Sequence, residues 1–167
     1  MLDWMYPPKP VRLLEHTSGY AKLLTDEGWV LEPKLDGYRC LTWLEPGGVK
    51  PFTRQGAELA PVSRALDGAT HHERVVLDGE WYKDVYHVFD LAYVCGTLDE
   101  RRAKLAPIID RLADHFPIRL MPRWDKLGAY ARALADGLEG IVLKHRSHVY
   151  GLTTNQSTTP LWRKVKP

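Results

Sequence analysis

Lys34-Leu35-Asp36-Gly37-Tyr38-Arg39 sets an amine, a carboxylate and a guanidinium within six residues. Two acidic positions stand far downstream, Glu80 after Asp78-Gly79 and Glu139 before Gly140, and two lysines, Lys164 and Lys166, close the chain. An amine can act as a nucleophile once it is neutral. A lysine amine titrates at about 10.4, so nearby positive charge or burial has to favour its uncharged form. Carboxylates suit a hard cation such as Mg²⁺, which keeps several waters and needs only one or two protein oxygens. Lysines suit phosphate oxygens. Residues of these types could thus supply an amine nucleophile, metal ligands and phosphate-binding cations. An Asp-Gly pair alone is also an ordinary surface turn, so the order of the remaining groups carries the reading.

The elements that must hold these groups are mostly short strands. Trp29-Val30-Leu31 and Cys40-Leu41-Thr42-Trp43-Leu44 are rich in β-formers, which places Lys34 at a strand end beside a turn at Asp36-Gly37. Glu45-Pro46-Gly47-Gly48 predicts a hairpin between residues 38–44 and 49–54. Residues 75–82 read as strand, turn, strand about Asp78-Gly79. Residues 86–93, 118–121 and 138–144 read as strands, and in 161–166 alternation sets Lys164 and Lys166 on one face.

Helices are expected where apolar residues recur at helical spacing. Ser18 would cap a short helix through Tyr20, Leu23 and Leu24, stopped at Gly28. Residues 60–66 form a second. In 99–116 the Pro107 ring either kinks the helix or marks its start near Ala106. Asp125 would cap a fourth, with Leu127, Tyr130, Ala131 and Leu134 on its apolar face and Gly137 as its stop. The proline-rich first twelve residues read as extended, and 151–160 as a polar loop. This pattern is α+β, with antiparallel sheets and flanking helices, in one domain over residues 1–167.

Composition bounds the function classes. The chain has 167 residues, 44% hydrophobic and 26% charged, with a formal net charge of +2, so a nucleic-acid partner requires cations gathered on one face. No apolar run reaches the length of a membrane span and no amino-terminal signal is evident, which leads to the expectation of a cytoplasmic protein without a membrane partner. Cys40 and Cys95 are read as buried filler, and the seven histidines, along with Trp4, Tyr6 and Trp124, as surface or packing residues.

In sequence order, Lys34-Leu35-Asp36-Gly37-Tyr38-Arg39, Thr53-Arg54-Gln55-Gly56, Leu77-Asp78-Gly79-Glu80, Val88-Phe89-Asp90-Leu91, Glu139-Gly140-Ile141-Val142-Leu143-Lys144 and Lys164-Val165-Lys166 resemble the motifs of the covalent nucleotidyltransferases. That superfamily includes ATP-dependent DNA ligases, RNA ligases and mRNA capping enzymes. The resemblance spans residue 29 to near the chain end and is nearest the DNA-ligase versions; Gln55 stands where those carry Asn. It implies a nucleotide cleft between sheets, ATP as cosubstrate, a covalent lysyl-AMP on Lys34, Mg²⁺ or Mn²⁺, and nicked double-stranded DNA as partner, in a monomer. RNA ligation or GTP-dependent capping is the alternative within the superfamily. A non-catalytic domain binding nucleotide or nicks is the alternative outside it.

The resemblance also distributes roles. Lys164 and Lys166 would meet the α-phosphate and the leaving pyrophosphate. Glu139 would be the first metal ligand and Glu80 the second, Glu80 having the ribose as its other option. Phe89 would stack on the base, Glu32 would meet the purine edge, and Arg39 and Arg54 would meet ribose and phosphates or the bound strand. Lys144 would either line the pocket or snorkel to solvent. Family members usually continue into an oligonucleotide-binding barrel carrying a sixth motif. The chain has no room for one after Lys166, so it is either an excised domain or a minimal enzyme, and nick binding is expected to be weak and salt-sensitive.

Overall fold

The computed structural model describes residues 5–15, 17–151 and 158–167. Trp4 and residues 152–157 of the expected polar loop lie outside them. In chain order the elements are β1 (Lys9–Arg12), α1 (Ser18–Thr25), β2 (Trp29–Lys34), β3 (Tyr38–Glu45), β4 (Gly48–Thr53), α2 (Ala60–Ala65), β5 (Val75–Tyr82), β6 (Val85–Ala92), α3 (Leu98–Ala113), β7 (Ile118–Leu120), α4 (Ala129–Ala135), β8 (Gly140–His145) and β9 (Thr158–Val165). They build two sheets, a four-stranded one ordered β1-β9-β8-β2 and a five-stranded one ordered β4-β3-β5-β6-β7.

Alternation divides the first sheet into an apolar face and a charged face. Leu31, Ile141, Leu143 and Val165 pack with Tyr20, Tyr130 and Ala133 from α1 and α4. The residues between them, Glu32, Val142 and Lys164, stand side by side in register on the other face. The second sheet buries Cys40, Leu44, Leu77, Val88 and Leu91 against Val62 of α2 and Leu105, Ile109 and Leu112 of α3. Leu41, Val76 and Ala92 on its opposite face meet Trp162 and Tyr150, joining the two sheets. Helices thus cover the outer faces, and the charged face of the first sheet looks across a gap at the second.

The α+β class and the strand positions agree with expectation, with local corrections. The sheets are not wholly antiparallel: β1 pairs with β9 and β6 with β7 in parallel. The second pair follows from α3 acting as a crossover between its strands. Residues 75–82 form one unbroken strand, because Asp78-Gly79 is a bulge rather than a turn. The hairpin reverses at Lys83-Asp84, whose positive φ values of 48° and 59° suit a two-residue loop.

α1 is capped by Thr17, not Ser18, and ends at Thr25, short of Gly28. α3 runs through Pro107 without ending. It starts at a capping box in which Thr97 and Glu100 satisfy each other's backbone, and Leu105, Ile109 and Leu112 fasten it on both sides of the ring. Asp125 caps nothing. The Trp124 amide donates to the Leu31 carbonyl at 2.9 Å and the Lys126 ammonium to the Asp26 carbonyl at 2.5 Å, so this stretch is tied to β2 and α4 begins only after left-handed Gly128. Its buried face is Ala129, Tyr130 and Ala133; Ala131 and Leu134 are exposed and Leu127 is 95% exposed. Cys95 is exposed, whereas Cys40 is buried, its thiol pushed up to about 12 by burial. Residues 158–160 belong to β9.

Candidate active site

β2 delivers Lys34 to the end of the first sheet, and Leu35 then turns inward while Asp36 is exposed. Only glycine fits at 37: a Cβ there would lie 2.2 Å from the Trp81 carbonyl oxygen. That close approach lets the Gly37 amide donate to Glu80 Oε1 at 3.2 Å, which draws Glu80 toward Lys34. On the other side Lys34 pairs with Gly140, and the Glu139 amide donates to the Lys34 carbonyl at 3.1 Å. Gly140 has φ +143°, and its Cβ would meet the Val165 carbonyl oxygen at 2.1 Å. The chain therefore passes tightly between Lys34 and the end of β9.

Glu139 bridges two lysines. One carboxylate oxygen accepts from Lys34, whose side chain is 21% exposed, and the other from Lys166 at 2.7 Å. Burial alone would raise the Glu139 carboxyl, but the bonds from Lys166 and Lys34 outweigh it and hold the group below its usual range. Burial pushes Glu80 up to about 7, although Lys34 and Arg39 pull the other way. Lys164 is lowered by burial first and then by its neighbours Lys166 and Lys34.

Between the sheets lies a cleft of roughly 320 Å³. Of the residues singled out from sequence, Glu32, Lys34, Arg39, Arg54, Glu80, Phe89, Lys144 and Lys164 line it. Glu139 joins it through its contact with Lys34, and Lys166 through its bond to Glu139. Half-buried Phe89 meets Trp162 edge to face at 6.0 Å. The Lys144 ammonium lies 4.1 Å from the Phe89 ring centroid and 4.5 Å from that of Trp162. Lys144 is held at 2.6 Å by Glu32, both side chains being 3% exposed, and Arg102 stands 3.6 Å from the second Glu32 oxygen. Lys144 thus lines the pocket and does not reach to solvent.

Arg39 differs most from expectation. Its guanidinium makes two bonds to Asp78, at 2.9 and 2.6 Å, and a third to the Pro8 carbonyl at 2.6 Å. The Tyr150 hydroxyl donates to the same Asp78 at 2.6 Å. Burial alone would lower the Arg39 pKa; the charge and hydrogen bonds of Asp78 raise it instead. Arg39 is therefore a strut between the second sheet and the chain entering β1.

Sequence reasoning missed Lys9, Asp78, Tyr150, Trp162 and Arg102. Trp162 was within reach, because the alternation that aligns Lys164 with Lys166 also aligns residue 162. Asp78 stands inside a motif as the partner of its glycine. Nothing local marks Lys9, Arg102 or Tyr150, which arrive through tertiary pairing. Among the described residues no group of three or more His, Cys, Asp or Glu side chains could hold a metal ion.

No family model matches the sequence. The chain is 31% identical over 156 residues to the multifunctional non-homologous end joining protein LigD of Pseudomonas aeruginosa, with 73% of this chain and 18% of that protein covered. It is 30% identical over 162 residues to the LigD of Mycobacterium tuberculosis, covering 80% of this chain and 21% of that protein. The chain thus spans about a fifth of the length of these relatives. The ligase domain of M. tuberculosis LigD superimposes with a TM-score of 0.68 at 25% identity, over 94% of this chain and 60% of that one. The ATP-dependent DNA ligase of bacteriophage T7, solved in complex with ATP, superimposes with a TM-score of 0.66 at 15% identity, over 96% of this chain and 68% of that one. The chain is homologous to the ligase domain of the LigD proteins and has the nucleotidyltransferase-domain fold of the ATP-dependent DNA ligases.

Proposed function

We propose that this chain is the catalytic domain of an ATP-dependent DNA ligase. The neutral amine of Lys34 attacks the α-phosphorus of ATP; the Nζ–P bond forms, the α–β phosphoanhydride bond breaks, a proton leaves the amine, and pyrophosphate departs. The AMP then passes to the 5′-phosphate of a nicked duplex, and the adjoining 3′-hydroxyl displaces it to seal the strand. The observation that carries this reading is the convergence of Lys34, Glu80, Glu139 and Lys166 at one end of a cleft whose interior offers the Phe89 ring. The names of its relatives supply ATP and DNA as ligand and partner. Its LigD relatives are bacterial DNA-joining proteins, which favours a cytoplasmic location, and a single copy of this cleft suffices, so a monomer is expected.

In this reading Phe89 receives the adenine face, while Glu32, fixed by Lys144, meets its edge. Lys164 and Lys166 face the phosphates. Lys34 has to part from Glu139 and lose a proton before it attacks. Glu139 and Glu80 fit a Mg²⁺ or Mn²⁺ ion: they are hard oxygen donors on either side of Lys34, and such a cation completes its shell with water and phosphate oxygens. Bound there, the ion would neutralise charge on the triphosphate.

Incubation with Mg²⁺ and α-labelled ATP tests the proposal. An acid-labile label on wild type, absent from Lys34→Ala, is expected, with GTP labelling far less. Absence of label from wild type, or label retained by Lys34→Ala, defeats it. Sealing of a nicked duplex is then measured separately.

A further inference from the structure

One side chain of α3 ties the two sheets together at the cleft. The Arg102 guanidinium, on the first half of the helix, touches an element of each. Its Nη2 donates to the Met121 carbonyl at 2.7 Å, just past β7 of the second sheet. Its Nη1 faces Oε1 of Glu32, on β2 of the first sheet, at 3.6 Å. Met121 and Glu32 both line the cleft. Glu32 therefore has a cation beside each oxygen, with Lys144 on Oε2 at 2.6 Å. Among the described residues, Oε1 has no hydrogen-bond partner, although the Glu32 side chain is only 3% exposed. A buried carboxylate oxygen in that state is costly until a donor reaches it. At 3.6 Å Arg102 is too far to be that donor, yet close enough to fix where the oxygen points. The donor has to come from the cleft, where the Phe89 ring offers a surface for stacking. An aromatic base carrying an exocyclic amine meets both demands.

We propose that Arg102 is a positioning residue for base selection: through Glu32 it aims an unbonded carboxylate oxygen at the exocyclic amine of the bound purine, and through Met121 it fixes the wall beside that contact. The inference rests on the nucleotidyl-transfer reading and deepens it. Without Arg102, Glu32 keeps Lys144 alone, and its carboxylate can turn both oxygens toward that ammonium. The acceptor is then no longer presented to the base. The amine would lose its partner while the stacking surface stays, so the damage falls on selectivity before it falls on the reaction. A guanidinium suits this task because its planar fork holds a carbonyl and faces a carboxylate at once in one fixed geometry.

The probe is a pair of nucleotides, ATP and purine riboside 5′-triphosphate, which lacks only the 6-amino group. Each is titrated calorimetrically into the intact chain in EDTA, then offered as the donor for lysyl transfer with Mg²⁺. Wild type is expected to favour ATP about tenfold, the effect of one hydrogen bond to a charged acceptor. In Arg102→Met and Arg102→Gln the preference should fall to within about twofold, through weaker ATP binding and a higher KM, with the maximal rate near wild type. In Glu32→Gln it should fall as far, and adding Arg102→Met to that variant should lower it no further, because the arginine acts through the carboxylate. Arg111→Met, an equal loss of charge at an exposed position of the same helix, should keep the wild-type preference. Arg102→Gln retains a donor for the Met121 carbonyl and is the variant to read if Arg102→Met does not fold. A wild-type preference that survives at residue 102 while both nucleotides weaken equally makes the arginine merely structural and overturns the proposal. So does a wild type that binds the two nucleotides alike. Wild type that forms no lysyl-AMP defeats the proposed function, while the ratio of the two binding constants still decides the role of Arg102.

Discussion

Buried charge in this protein comes in matched sets, and removing one member exposes what the set is worth. Glu32 and Lys144 are an almost fully enclosed pair with Arg102 nearby. Losing one partner of such a pair costs about 3–5 kcal/mol, because the survivor keeps its desolvation penalty. Lys144→Met and Glu32→Gln should each cost stability on that scale, and the double variant clearly less than their sum. Urea unfolding of the four proteins as a double-mutant cycle checks this. His148 is a second case. Burial, then Arg101 and Lys144, hold its imidazole down at about 4; Asp90, Tyr150 and Trp162 complete its surroundings. Its folded value lies below the unfolded one, so the unfolded chain takes up the proton first. Stability present above about pH 6.5 is therefore lost as pH falls toward 4, by up to about 3 kcal/mol. Thermal melts from pH 7 to 4.5 should show that slope, reduced in His148→Gln.

At the scale of the element, two glycines behave oppositely. Gly140 opens β8 with φ +143° against the Val165 carbonyl, whereas Gly47 in the β3–β4 turn has nothing within 4 Å of an added Cβ. Gly140→Ala should lower the melting temperature sharply and abolish lysyl-AMP formation, since the crossing it permits sets Glu139 between Lys34 and Lys166. Gly47→Ala should leave both near wild type. At the start of α3, Thr97→Ala removes half of a capping box and should cost about 1 kcal/mol. Most elements were legible because they are strands read by alternation. The Asp78-Gly79 bulge was not, since an Asp-Gly pair signals a turn unless cross-strand pairing on both sides holds it extended. The start of α4 was hidden for a similar reason: residues 124–126 are fastened to β2 and α1, and local capping preference yields to those bonds.

For the whole molecule, a net charge of +2 conceals a strongly asymmetric distribution. Lys9, Lys34, Arg39, Arg54, Lys144 and Lys164 line the cleft, with Glu32 and Glu80 as the carboxylates among its lining residues. A polyanion is thus met locally rather than by the protein's overall field. A face that neutralises about three phosphates should lose on the order of 40-fold in nick affinity between 50 and 200 mM salt. Fluorescence anisotropy with a nicked duplex measures the slope; a flat dependence would show that the cleft wall takes no part in holding the strand.

The motifs and their order along the chain carried the family resemblance, and with it the expectation of nucleotidyl transfer: a lysine beside Asp-Gly, two later Gly-adjacent carboxylates and a terminal lysine pair are local facts. Strand periodicity likewise determined the α+β class and the shared face of Lys164 and Lys166. Only the tertiary structure decided that Arg39 is spent on Asp78 and Pro8, that Glu139 holds Lys34 and Lys166 together, and that Lys9 enters the cleft. Each of those contacts joins residues at least 27 positions apart or depends on such pairing, and no local pattern encodes a partner brought near only when the two sheets close over one another.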